Sequence, residues 1–287
     1  MLVGVLAVST SAPLIAAMTV PALAIAFWRN GFATAALAPV AVAGRRSELA
    51  GLRRGDLVMT VLAGLALAVH FGTWVSSVKM TSVASSTALV CLQIAWVVAW
   101  QMVRGERFGR LVVAGLAVAF AGVLVVSGVD VALSARKAAG DGLALLGGVA
   151  AAGYMLLGAR VRREVSTTAY TFCCYGTCAA VLAATCAVAR QPLAGYPLRQ
   201  WAMLVAVTVA AQLLGHSVFN HLLAVTGPML VSLALLLEVP GASLIAAFAL
   251  GQQPPVAALV GLAVILGGTA MVVVGRRERA LDAAPVD

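Results

Sequence analysis

The chain has 287 residues, of which 62% are hydrophobic and only 10% charged, and its mean hydropathy is +1.04. That balance excludes a water-soluble domain, which carries about a quarter of its residues as Asp, Glu, Lys and Arg. The net charge of +9 would suggest a polyanionic partner in a soluble protein, but the 19 Lys and Arg fall almost entirely between apolar runs, so nucleic acid is not the reading.

Apolar segments punctuated by Arg, Pro, Gly or Asp predict helices near 1–18, 21–43, 56–77, 82–103, 109–128, 141–159, 167–188, 199–224, 228–250 and 255–275. Most approach the roughly 20 residues that a helix needs to cross a bilayer. Period-two alternation is absent, which argues against an outer-membrane barrel. The opening MLVGVLAVST has no basic stretch and a second span follows closely after Val20-Pro21, so the first helix is read as retained rather than cleaved. The five cysteines all lie in apolar runs, four of them in the seventh span, and read as small packing residues rather than disulfides or metal ligands.

With ten spans starting from the cytoplasm, the inside loops carry Arg45, Arg46, Arg53, Arg54, Arg104, Arg107, Arg110, Arg160, Arg162, Arg163, Arg276, Arg277 and Arg279. The outside loops carry only Lys79, Arg136, Lys137, Arg190 and Arg199. The positive-inside rule therefore puts both termini in the cytoplasm.

A shift of 146 positions lays HFGTWVSSVKMTSVASSTALV, with its continuation through Gly122, onto HSVFNHLLAVTGPMLVSLALL and its continuation through Gly268. His70 meets His216, Ser86 meets Ser232, Gly105 meets Gly251, Gly115 meets Gly261 and Gly122 meets Gly268. Five spans per unit is an odd number, so the second unit enters the membrane from the opposite side. The expected architecture is an all-α integral membrane protein of ten transmembrane helices in two inverted five-helix repeats. Residues 1–128 and 141–275 form the repeats, 129–140 a polar linker and 276–287 a cytoplasmic tail.

Arg29-Asn30 in the second span, Lys79-Met80-Thr81-Ser82-Val83-Ala84 opening the fourth, Arg104-Gly105-Glu106-Arg107 closing it and the glycine-bearing fifth span ending Gly122-Val123-Leu124-Val125 carry a resemblance. Over essentially its whole length the chain resembles two tandem EamA domains of the drug/metabolite transporter superfamily. The resemblance implies a bacterial inner-membrane permease, commonly an exporter of amino acids or related metabolites, with a central cavity between its halves. Two positions depart from the family pattern: Ile94 replaces the usual proline of the fourth span, and Gly251-Gln252 replaces Gly-Glu after the ninth.

An ionisable group inside a bilayer is costly and marks a functional candidate. Glu238, in LLLEVPG, is the one acid well inside an expected span. It reads as a group that binds a proton or a solute ammonium in alternation, as a direct solute contact, or as a neutral carboxyl bonded across helices. Gln212, His216 and Asn220 recur at i, i+4 and i+8 on one expected helix face, and His70 with Trp74 occupies the equivalent face of the first repeat. Ser86, Gln93 and Trp100 share a face of the fourth span, and Trp74, Trp96 and Tyr154 offer stacking surface. Such groups also tie membrane helices together without touching solute. Arg29 reads as a structural group that snorkels or pairs. His216 and His221 are five apart on different faces, so no metal is expected, and no cofactor. Gly115 and Ala119, with Gly261, Gly267 and Gly268, suit close helix packing or a dimer face, leaving a monomer or homodimer.

An intramembrane protease would need a serine or aspartate constellation; Pro240-Gly241-Ala242-Ser243 is followed by Leu244 and both nearby histidines precede the serine. Filter-like charge rings of a channel are not seen. The expected activity is alternating-access transport of a small organic solute, amino-acid export first, drug efflux or sugar-related uptake second.

Overall fold

The computed structural model describes residues 1–131, 134–252 and 256–282. Among the described residues all regular structure is helical: α1 Leu2–Ser9, α2 Ser11–Ala17, α3 Ala22–Gly44, α4 Arg46–Ala50, α5 Arg54–Val78, α6 Val83–Cys91, α7 Gln93–Val103, α8 Arg110–Val131, α9 Ala135–Val161 and α10 Thr167–Val188. After them come α11 Leu198–Val207, a π-helical segment Thr208–His216, α12 Ser217–Leu236, α13 Glu238–Leu250 and α14 Val256–Asp282. Among the described residues five stretches are long and apolar enough to cross a bilayer: Arg54–Val78, Val83–Val103, Ala135–Val161, Thr167–Val188 and Leu198–Leu250. The last holds Gly227, at φ 77° and ψ 167°, a backbone state that only glycine adopts without strain; Pro228 follows it, so a new helical run starts there.

Serines start several helices because their hydroxyl accepts a first-turn amide that has no partner inside the helix. Ser134 accepts from Lys137 and starts α9, and Ser166 accepts from Ala169 and starts α10. The segment expected as a linker thus gives its residues from Ala135 onward to α9, while residues 132 and 133 lie outside those described. The expected tail also lies partly outside them, from residue 283 on.

Besides the first expected span, which parts at Thr10 between α1 and α2, two more spans expected to be continuous are broken. At Leu92 the turn tightens, with the Leu92 amide donating to Leu89 (3.2 Å) and the Ala95 amide to Leu92 (2.9 Å). At Leu237 the amide donates to Ala234 (3.1 Å), and Pro240 beyond it brings no donor of its own. The first break needs no proline, so the Ile94 departure does not remove it. The second places Glu238 in the first turn of α13, where unpaired N–H groups favour an acidic side chain.

α8 and α14 lie against each other along a seam of glycine. A Cβ on Gly115 would meet the Gly268 carbonyl at 2.7 Å, and one on Gly122 would meet the Gly261 carbonyl at 2.7 Å. These glycines are therefore consumed inside one chain, and they are not an outward dimer face. α5 packs on α9, and α3 on α10, so the core sits between the elements that carry His70, Tyr154, Arg29 and Tyr175.

Candidate functional site

His70, Trp74, Gln93, Tyr154, His216 and Glu238 line one small cavity at the centre of the bundle, joined there by Ser11, Cys91 and Met155. Its volume is about 30 Å³, room for about two water molecules and far less than an amino acid needs. The His70 ring stacks on Trp74 at 5.8 Å and lies 6.5 Å from the ring of His216. His70 Nδ1 donates to the Gly147 carbonyl at 3.0 Å, which ties α5 to α9 and leaves the rest of the ring toward the cavity. The Cys91 thiol donates to the Leu235 carbonyl at 3.3 Å, so one helix break touches the other.

Behind this lining sits Arg29, fully buried. Its Nε donates to Gln212 Oε1 at 2.9 Å and its Nη1 to Ser11 Oγ at 3.2 Å, and its guanidinium carbon stands 4.0 Å over the Phe71 ring. Gln212 passes the network on, donating from Nε2 to Asn30 Oδ1 at 3.1 Å. Phe71 in turn packs edge-on against His216 at 5.3 Å. A buried guanidinium held over an aromatic face gains about 2 kcal/mol from that contact alone. Arg29 is thus one layer from the cavity, reaching it through Ser11 and through Phe71.

The expected single stripe of Gln212, His216 and Asn220 is divided. The π-helical segment changes the residues per turn between Gln212 and His216, so the three side chains serve different partners. Gln212 holds Arg29, His216 faces the cavity, and Asn220 accepts from the Tyr154 hydroxyl while its Nδ2 donates to Tyr175 Oη at 3.2 Å. The face shared by Ser86, Gln93 and Trp100 is likewise split by the break at Leu92. Ser86 accepts from Ser77 at 2.9 Å, Gln93 lines the cavity and Trp100 is half exposed. Trp96, expected to add stacking surface, points outward at 49% exposure and does not line the cavity; the same break turns α7 so that its buried side carries Gln93, Val97 and Val98.

The two ends of the bundle differ. At one end the chain is closed: Lys79 Nζ donates to the Met18 carbonyl, the Thr19 amide to Gln200 Oε1 at 3.0 Å, and Trp28 Nε1 to the Leu193 carbonyl at 2.8 Å. Burial pushes the Lys79 amine down to about 8. At the other end a vestibule of about 860 Å³ opens between α5, α7 and α9. α9 supplies Tyr154 and Met155 to the cavity and Leu156 and Leu157 to the vestibule.

Sequence reasoning missed Ser11, Cys91, Met155 and Tyr175, which carry no charge and look like packing residues in an apolar run. It recognised that Arg29 needs a partner but not that Gln212 supplies it; two polar residues 183 apart give no signal of contact.

The EamA-like transporter family model matches residues 1–128 and 138–274. No curated protein matches significantly. A solved structure described only as "Crystal structure of protein" is similar at 20% sequence identity and a TM-score of 0.73, with 96% of each chain covered, a likeness of fold. The family match spans nearly all of the apolar helical chain, and this protein belongs to the EamA-like transporter family, a family of multi-pass membrane permeases.

Proposed function

We propose that the chain carries a small organic solute across the cytoplasmic membrane by alternating access, exporting amino acids or related metabolites. In this reading residues 1–128 and 141–275 are inverted repeats of five crossings each, both termini are cytoplasmic, and the solute site lies on the axis relating the halves. The observation that carries it is the convergence of Glu238 with His70 and His216 on one small cavity between elements of both halves. The arginines counted to the cytoplasmic side include Arg53, Arg104, Arg160 and Arg163, all of which line the open vestibule. That arrangement supports entry from the cytoplasm, and the Lys79 contact supports a closed outer end.

Glu238 is assigned the alternating role: it takes a proton, or the ammonium of the solute, and yields it when the site turns over. Arg29 is fixed in the next layer by Ser11, which shares the cavity lining with Glu238. Counterflow in proteoliposomes with a panel of amino acids, amines and sugars, with and without an imposed pH gradient, tests the reading. No solute moving above empty liposomes would sink it. Glu238→Gln is expected to keep counterflow and lose accumulation driven by the gradient; unchanged accumulation would leave Glu238 a structural role only.

A further inference from the structure

The vestibule differs in kind from the central cavity, in its charges and in what bounds it. Arg53 and Asp56 stand at the start of α5, Arg104 and Glu106 at the end of α7, and Arg160, Arg163 and Glu164 at the end of α9, so three helix ends each bring both signs to its wall. No two of these seven groups form an ion pair. Arginines on a cytoplasmic side follow from membrane topology, but an acid beside them at every helix end does not. At about 860 Å³ the space falls within the range of about 300–1,000 Å³ typical of sites for organic molecules.

A second observation concerns where the vestibule opens. Trp96, Trp100 and Val103 recur at i, i+4 and i+7 on one face of α7 and are 49%, 51% and 80% exposed. On a membrane-spanning helix such a face meets lipid, and an indole favours the level of the headgroups. Trp100 stands in the last turn of the apolar stretch Val83–Val103 and also forms part of the vestibule wall. The concavity therefore borders the bilayer at headgroup depth, where the molecule at hand is a phospholipid.

We propose that the vestibule seats the headgroup of a phosphatidylethanolamine from the bordering leaflet, its phosphate held by guanidinium groups and its ammonium by the carboxylates. Guanidinium groups bind phosphate oxygens through paired N–H donors, and an ammonium brings three donors to carboxylate oxygens. A phosphatidylglycerol headgroup would leave Asp56, Glu106 and Glu164 without a cation, and a phosphatidylcholine headgroup carries a cation with no N–H to donate. The acyl chains have the exposed apolar face of α7 to lie along. The inference goes beyond the permease reading, from which it takes only the leaflet.

The test is a native mass-spectrometric titration of the full chain, delipidated in detergent, with phosphatidylethanolamine, phosphatidylcholine and phosphatidylglycerol of identical acyl chains. One phosphatidylethanolamine is expected to bind at least about tenfold more tightly than either of the others, the factor that loss of one charge-assisted bond brings. The double variant Arg160→Gln with Arg163→Gln is expected to weaken it by at least about tenfold. Arg199→Gln, which removes an exposed arginine at the opposite end, should leave it within about twofold. The triple variant Asp56→Asn, Glu106→Gln and Glu164→Gln removes the acids and is expected to reverse the order, so that phosphatidylglycerol binds best; a protein that merely folds badly would not gain binding. Glycerophosphoethanolamine, the same headgroup without acyl chains, should not displace the lipid at equal concentration.

Equal affinity for the three lipids overturns the proposal, as does tighter binding of either other lipid to the wild type. So does undiminished binding in the arginine double variant, an equal loss in Arg199→Gln or an unchanged order in the acid triple variant. Displacement by glycerophosphoethanolamine at equal concentration assigns the site to a soluble molecule and also overturns it. Counterflow is read separately: its failure with lipid selectivity intact removes the permease reading and leaves the site, and the converse result removes only the site.

Discussion

The rings of His70 and His216 meet at 6.5 Å, and the two residues are separated by the same 146 positions that align the halves of the sequence. A residue that touches its own sequence equivalent sits where the two halves face each other. The surroundings are not equal, since His70 Nδ1 reaches the Gly147 carbonyl and His216 takes the edge of Phe71.

Arg29→Met is expected to destabilise the protein by about 2 kcal/mol or more, since it strands Gln212 Oε1 and removes the contact over Phe71. Arg29→Lys keeps the charge but lacks the fork that reaches Gln212 and Ser11 together, so its loss should be intermediate. Thermal midpoints of both variants in detergent check the order, and equal stability of wild type and Arg29→Met would contradict the role drawn for this network.

Gly268→Ala and Gly267→Ala form a matched pair one residue apart. A Cβ on Gly268 would stand 2.6 Å from the Gly115 carbonyl, and backbone has no rotamer by which to yield. A Cβ on Gly267 meets nothing within 4 Å. The first change should cost about 1–3 kcal/mol and the second less than about 0.5 kcal/mol, read as thermal midpoints.

The sequence made the bundle legible because membrane helices must satisfy their backbone internally, which leaves long apolar runs with polar ends. Glu238, His70 and His216 were legible for a related reason: a polar group in such a run stands out. Trp96 was not, since an aromatic side chain is at home in lipid and in a core alike, and only the turn at Leu92 decides which it faces. The π-helical segment was also hidden, because the spacing of Gln212, His216 and Asn220 fits an ordinary helix and their separate partners come from α3, α5, α9 and α10.

Lys79 gives a pH dependence with a definite sign. Its amine titrates at about 8 when folded, against 10.5 for a lysine side chain free in water, so the folded state disfavours the charged form. The penalty is fully present below about 8, shrinks as pH rises through the window and is gone above the unfolded value. Thermal stability of the wild type should therefore rise between pH 8 and pH 10 relative to Lys79→Met, which has no titrating group there. Parallel pH profiles for the two proteins would remove Lys79 as the source.

Cys91 is buried on the lining of the central cavity, with its thiol on the Leu235 carbonyl. In a background with the other four cysteines replaced, a membrane-impermeant methanethiosulfonate should leave it unlabelled at rest and label it during counterflow. Labelling at the same rate in both conditions would show that the cavity is already open.

The glycine seam has a mechanical consequence. Side chains give a packed interface its slack, because a rotamer can swing where a backbone cannot. Where α8 meets α14 the carbonyl of Gly268 lies against Gly115 and that of Gly261 against Gly122, so this joint has no slack to spend. The interruptions lie elsewhere, in the helices broken at Leu92 and Leu237, which meet through Cys91 and Leu235 beside Glu238.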